Sequence, residues 1–372
     1  MVHAFLPDPL PPTSGLSIAE LQPLLDRANQ ALGRLDGLSL LLPNTSLFLY
    51  LYVKKEALLS SQIEGTQSSL SDLLLYESAR APETPINDVE EVSNYLAAVN
   101  HGLRRMREDD FPISLRLIRE MHAILLRGGR GENAQPGEFR RSQNWIGGTR
   151  PGNAAFVPPP VQVLDPCLAD LERFLHAEGD GLPALVRIAL AHVQFETIHP
   201  FLDGNGRLGR LLIALLLCAD GALSQPILYL SLHIKTHRER YYALLQEVRF
   251  EGAWQAWLTF FLEGVIEVAG QASEAARGIL ELFAADRLRL QALGRRASAA
   301  LRIHDHFQRK PISDIKTAAA ETGLSYPTVS AAVAGLVEAG VLRELTGRAR
   351  DRVFSYAAYL AILSEGAEPL AP

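Results

Sequence analysis

The densest chemistry in the sequence lies in one run, Ile198-His199-Pro200-Phe201-Leu202-Asp203-Gly204-Asn205-Gly206-Arg207-Leu208-Gly209-Arg210. Pro200 stops a helix at His199, a Gly/Asn turn follows, and a new helix is predicted to begin near Gly206. Successive backbone N–H groups in such a turn form an anion nest, reinforced by the positive end of the next helix. Gly204 and Gly206 carry no Cβ, so a phosphate can approach the backbone closely. Arg207 and Arg210 stand three apart on the first helical turn, where both guanidinium groups reach toward one polyanion. Without an anion they would face the positive end of the helix dipole unfavourably. Asp203 offers a hard oxygen suited to Mg²⁺. His199 is a base with an ordinary pKa near ~6.5. Base, metal ligand, anion nest and two arginines together describe a phosphate-transfer site.

Helices must hold that segment, and helical periodicity dominates the chain. Ser17 caps a first helix through Leu21, Leu24, Leu25, Ala28 and Leu32. Further helices are predicted over residues 44–60, 69–80, 88–107, 114–127, 164–176, 182–198, 207–220, 237–250 and 253–268. A long Ala/Leu/Arg helix then runs to about Arg296. Between Gly128 and Pro160 the texture changes, with twelve Gly or Pro in 33 residues, which no long helix tolerates. There Gln143–Ile146 and Ala155–Val157 read as an irregular β-hairpin, with Trp145 and Phe156 as anchors. The last segment reads as a helix from Leu301, a helix over Ile312–Thr322, a Gly-Leu-Ser turn and a helix over Pro327–Ala339. Strands follow near Val341–Leu345 and Arg352–Tyr356. Two helices, a tight turn and a hairpin form the winged helix-turn-helix pattern.

The chain has 372 residues, 48% hydrophobic and 21% charged, with 36 basic against 42 acidic side chains and a net charge of −6. Global disorder and whole-length nucleic-acid binding are excluded by that balance. Cys167 and Cys218 cannot build a disulfide framework and read as reduced, packed thiols. The longest apolar run, Leu211–Ala219, is about half a membrane span. The first residues lack a basic, then apolar, signal pattern. A cytoplasmic protein without a membrane span is the expectation.

The run from His199 to Arg210 resembles the Fic family signature His-Pro-Phe-x-Asp-Gly-Asn-Gly-Arg-x-x-Arg at every fixed position. Residues 128–160 resemble the family's flap. Ser60-x-x-x-Glu64-Gly65 is similar to the inhibitory element of Fic proteins that carry their inhibitor at the N-terminus. The resemblance implies an all-α, Fic-type helical bundle with a small β-hairpin flap, plus the C-terminal winged helix-turn-helix domain. The corresponding divisions are residues 1–95 with the inhibitory helix, 96–270 as catalytic core, 271–296 as helical linker, and 297–372.

It also implies transfer of AMP from ATP to a Ser, Thr or Tyr hydroxyl of a protein target. His199 would be the base and Asp203 the Mg²⁺ ligand. ATP would be held across Gly204, Asn205, Gly206, Arg207, Leu208, Gly209 and Arg210, with Arg207 on the β- and Arg210 on the γ-phosphate. Gly206 favours AMP transfer, because a lysine stands there in the branch that acts as a protein kinase. Glu64, with Ser60 and Gly65, would be a brake, its carboxylate pairing bidentately with Arg210. In some relatives the same glutamate supports removal of AMP. Relatives also imply self-modification and a homodimer, and place Tyr241 and Tyr242 at the nucleoside, where Arg249 departs from a family asparagine. His192 and Glu196, one helix face from His199, read as packed rather than metal-binding, because the spacing is not H-E-x-x-H.

The C-terminal segment is only weakly basic, with eight basic against six acidic residues from Ala297 to Ile362. Its candidate recognition helix, 325–339, has no Lys or Arg. Ser325, Tyr326, Thr328 and Ser330 could touch phosphates or base edges, and Arg343, Arg348, Arg350 and Arg352 cluster at the wing. DNA and a protein partner both remain open here. The rival reading is a DNA-binding regulator that uses the core as a nucleotide sensor.

Overall fold

The structure is a computed structural model that describes residues 3–41, 45–65, 86–128, 131, 133–177, 181–348 and 351–368. The helix expected over 69–80 lies outside the described residues.

Two antiparallel-linked helices form the centre, α6 (Ala184–Ile198) and α7 (Asn205–Ala219), numbering the helices in chain order. Both are buried over nearly their whole length, as sequences apolar on every face require. Around them lie α1 (Ile18–Leu41), α2 (Thr45–Ile63), α3 (Ile86–Glu108), α4 (Leu115–Leu125) and α5 (Leu164–Leu175). The shell is completed by α8 (Ser231–Thr236), α9 (Arg238–Glu251) and α10 (Trp254–Gln291). α1 lies along α10, α3 joins α2 to α4, and α2 also touches α7 and α8. Where two helices were expected from Ala253 to Arg296, α10 runs unbroken for 38 residues. The single turn of α8 escaped the periodicity altogether, since six residues carry too little of it.

Local chemistry sets the ends. Ser114 caps α4 by accepting the Leu117 N–H. α9 stops where Gly252 takes a positive φ and the Gly252 and Ala253 N–H groups return to Val248 and Glu247. The expected hairpin over 143–157 is reduced to one antiparallel bridge, Ile146 with Phe156. Asn153 folds the tip by accepting the Thr149 and Arg150 N–H groups. The loop side chains satisfy the backbone there, so no longer ladder is needed.

The C-terminal part contains α11 (Ala297–Arg309), α12 (Ile315–Thr322), α13 (Tyr326–Glu338) and α14 (Ala357–Ser364). Its sheet has strands β1 (Ile312–Asp314), β2 (Arg343–Glu344) and β3 (Val353–Ser355) in the order β1-β3-β2, all antiparallel. Residues 312–314 were expected to be helical. They are a strand because Asp314 caps α12, accepting the Thr317 N–H at 2.8 Å, so the helix starts after it. α11 and α14 pack on α10, and the residues after α14 reach back to α2. Lys55 and Gln62 of α2 donate to the Glu365 and Ala367 carbonyls, and Lys235 of α8 donates to that of Glu368. Among the described residues no helix is long and apolar enough to cross a membrane.

Candidate active site

His199 is the C-cap of α6, with φ +49, a left-handed conformation unusual for a residue with a side chain. Surrounding groups over-determine it. Its N–H returns to Phe195, and its carbonyl accepts from Arg140 Nε at 3.0 Å and Asn144 Nδ2 at 3.2 Å. Arg140 is itself buried, bonding the Pro159 and Ile198 carbonyls as well. A cation on the last carbonyls of a helix complements the negative end of its dipole. The Gly/Pro-rich loop thus contributes a clamp on α6, through two residues that sequence reasoning did not single out.

The turn into α7 is fastened from several sides. Asn205 uses both ends of its amide on Phe201, accepting the backbone N–H and donating to the carbonyl, each at 2.9 Å. Its side chain therefore shapes the turn, and only its backbone faces outward. Gly204 has φ +76, and an added Cβ would lie 3.1 Å from Leu126 Cδ2. Its N–H donates to Asp203 Oδ1 at 2.6 Å. Beneath the turn, the His122 ring stacks on Phe201 with centroids 3.7 Å apart. His122 Nδ1 accepts the Gly137 N–H, so its Nε2–H donates to the Asp203 carbonyl. Burial pushes this imidazole down to about 4, which keeps the neutral tautomer that both bonds require.

Both arginines of the motif meet carboxylates. Arg207 Nη1 bonds Glu91 of α3 at 3.0 Å, and its Nη2 lies 3.6 Å from Asp203. Arg210 donates through Nε to Ser60 Oγ at 3.0 Å, and through Nη2 to the Ser60 carbonyl at 2.9 Å and to Glu64 Oε1 at 2.8 Å. The pairing with Glu64 is through one carboxylate oxygen rather than two, because Ser60 already takes the Nε edge of the fork. An added Cβ on Gly206 would lie 2.4 Å from Glu64 Oε1. Glycine is what lets the carboxylate cross the helix start. Gly65 ends α2 with φ +103 and aims Glu64 inward.

Glu64, Glu91, His199, Leu202, Asp203, Gly204, Asn205, Gly206 and Arg207 line one cleft. Burial and the nearby Arg249 push the His199 imidazole down to about 4. Burial raises the Glu64 carboxyl, but Arg210, Arg207 and His199 together carry it below the ordinary carboxylate value. Burial pushes Glu196, one turn before His199, up to about 7 against the pull of Arg210.

Tyr241 and Tyr242 do not line the cleft. Tyr241 is core: its hydroxyl bonds His192 Nε2 at 2.9 Å, while His192 Nδ1–H donates to the Gly209 carbonyl. His192 is thus a packed histidine tying three helices. Tyr242 is 39% exposed beside Arg238. Arg249 stacks on Phe156 and donates to Thr197 Oγ1 and the Glu196 carbonyl. Leu208 is fully buried, and Gly209 leaves room for Glu196, whose Oε1 would lie 2.5 Å from an added Cβ.

The sequence matches the Fic/DOC family N-terminal region over residues 22–104 and the Fic/DOC family over residues 112–217. The chain belongs to the Fic/DOC family. Both Glu64 and Glu91 fall in the N-terminal match, and the whole cleft turn falls in the second. Among Fic relatives, the protein adenylyltransferase Fic of Culex quinquefasciatus is 32% identical over 205 residues, 54% of this chain and 38% of that one. The protein of the same name from Drosophila yakuba is 36% identical over 135 residues, 36% of this chain and 24% of that one. The chain spans 38% of the length of the first of these curated relatives and 24% of the second. In fold it resembles a Fic family protein from Desulfovibrio desulfuricans G20, with TM-score 0.61 and 19% identity over 93% of this chain and 98% of that one. A Fic domain containing signaling protein from Bacteroides thetaiotaomicron VPI-5482 has TM-score 0.55 and 18% identity, over 68% and 97%.

Proposed function

We propose that this Fic protein is a protein adenylyltransferase, moving AMP from ATP to a Ser, Thr or Tyr hydroxyl of a protein and releasing pyrophosphate. The observation that carries the reading is the cleft at the start of α7. It gathers a histidine, a carboxylate, a Gly-Asn-Gly backbone turn and Arg207, with Arg210 behind held by a carboxylate where a phosphate charge would sit.

In this reading His199 takes the proton of the target hydroxyl as its oxygen attacks the α-phosphorus and the bond to pyrophosphate breaks. The imidazole is neutral in the free cleft, and a bound polyanion raises its basicity. The backbone of Gly204, Asn205 and Gly206, with Arg207 and Arg210, receives the phosphates at the positive helix end. Such preorganised charge is the dominant contribution in phosphoryl-type transfer. Asp203 fits a Mg²⁺ ligand: a hard, half-exposed carboxylate at the edge of the cleft. One or two carboxylates plus phosphate and water oxygens are what that ion takes. When bound, it neutralises charge on the phosphates.

Glu64 is the brake in this reading, since Arg210 cannot serve it and a γ-phosphate together. Residues 1–95 then regulate, and 96–270 carry the chemistry. The test is incubation with α-labelled ATP and Mg²⁺ in the Glu64→Gly background. Label accumulates on protein, and adding His199→Ala lowers its rate by about 100-fold or more, the range of a lost general base. Equal labelling with and without His199 would overturn the assignment.

A further inference from the structure

Outside the cleft, a second cluster carries chemistry that nucleotide transfer does not use. We propose that His233, His237 and Glu267 bind a divalent transition-metal ion of the Zn²⁺ class, cross-linking the junction of α8 and α9 to α10.

His233 and His237 stand four apart across the end of α8, and Glu267 faces them from α10. One donor atom from each of the three lies within 4.8 Å of the others. His233 Nδ1 and Glu267 Oε2 are already 2.6 Å apart, and the two imidazole centroids are separated by 4.5 Å. Ligand atoms bonded tetrahedrally to Zn²⁺ at ~2.0–2.1 Å lie about 3.4 Å from one another. His237 and Glu267 are both exposed, so small side-chain rotations close the set around an ion.

The buried member is seated in a shaped place. Gly264 lies inside α10, where glycine costs ~1 kcal/mol relative to alanine. An added Cβ there would lie 2.7 Å from His233 Cδ2. The glycine is the notch that admits the ring, with Phe260 on its other side at 4.6 Å between centroids.

The surrounding charge suits a cation. Glu263 lines the same open groove as His233 and His237. Arg240, the cation on that groove, is turned to Glu247 at 2.5 Å. Room remains for water ligands beside the three protein donors.

His233 Nε2 is buried without a hydrogen-bond partner among the described residues. Two nitrogens and a carboxylate oxygen match Zn²⁺ rather than Ca²⁺ or Mg²⁺.

The test is titration of untagged, full-length protein with Co²⁺ and Zn²⁺, reading the visible absorption of four-coordinate Co²⁺, calorimetric stoichiometry and thermal stability. Wild type binds one ion per chain at this site and melts at higher temperature with Zn²⁺ present. His237→Ala and Glu267→Gln, both at exposed positions, bind at least about tenfold more weakly and lose the Co²⁺ signature. Absence of saturable binding overturns the proposal. So does equal binding by wild type and His237→Ala, which would place the ion elsewhere, for instance at Asp203.

Discussion

Arg207 and Arg210 share one helical turn, and each meets a glutamate from a different N-terminal helix, yet the two pairs have different surroundings. The Arg207–Glu91 side chains are 5% and 3% exposed, whereas those of Arg210–Glu64 are 2% and 38% exposed. Glu91 comes from inside α3. Glu64 follows the last turn of α2, its N–H returning to the Ser61 carbonyl and its carboxylate meeting Arg210 through one oxygen. The same electrostatic problem, two cations at the positive end of α7, has a sealed solution and an open one. A sealed partner is part of the fold, and an open one can be exchanged for another anion.

The sharpest way to break that comparison is to remove each carboxylate. Glu91→Ala leaves Arg207 buried without its partner and should cost about 3–5 kcal/mol, read as a large fall in the urea midpoint. Glu64→Ala leaves Arg210 with both Ser60 bonds and a solvent-facing cleft, and should cost about 1 kcal/mol or less. Equal losses would show that the two pairs do not differ in kind.

Glu196 sharpens it further as a third carboxylate against α7, its Oε1 without a hydrogen-bond partner among the described residues. Its folded pKa is raised to about 7, above the unfolded value of ~4.3. The folded state therefore holds a proton that the unfolded chain has released. Stability from this residue falls as pH rises from ~4.3 to about 7, by on the order of 3 kcal/mol, and is flat beyond. Glu196→Gln should remove that fall, so its stability relative to wild type improves between pH 5 and pH 8. A difference independent of pH would contradict the buried, unpaired assignment.

Ser60→Ala removes one of the two Ser60 bonds to Arg210 and should cost ~1 kcal/mol, far less than Glu91→Ala. Because it loosens Arg210 without touching the cleft lining, it should also raise label transfer modestly over wild type. Unchanged labelling would show that Glu64 alone holds the guanidinium.

Much of the site was legible because its chemistry is contiguous. The turn from His199 to Arg210 declares a helix stop, a glycine turn and two cations in chain order, and His199, Asp203, Gly204, Asn205, Gly206 and Arg207 line one cleft. Two arginines at a positive helix end also announced that anions must come from elsewhere. Which ones depended on packing between helices. Glu91 was detectable in principle, since it shares a stripe with the buried Tyr95 and Ala98 four and seven residues on, an odd place for a charge. Glu56 gives the same signal on α2, where burial pushes it up to about 7 and Tyr95 and Ser231 donate to it. Arg140 and Asn144 left no such trace, because loop residues have no periodicity to violate. Tyr241 and Tyr242 show the same limit: an aromatic pair at a helix start does not tell which ring faces the core.

The most direct test of the open pair is the rate of AMP labelling from α-labelled ATP by wild type and by Glu64→Gly, with equal folding and Mg²⁺. Freeing Arg210 for a phosphate should restore a productive pose, worth about 100-fold in rate. Equal rates in the two proteins would contradict the account, because Glu64 would then be a surface carboxylate that happens to touch an arginine.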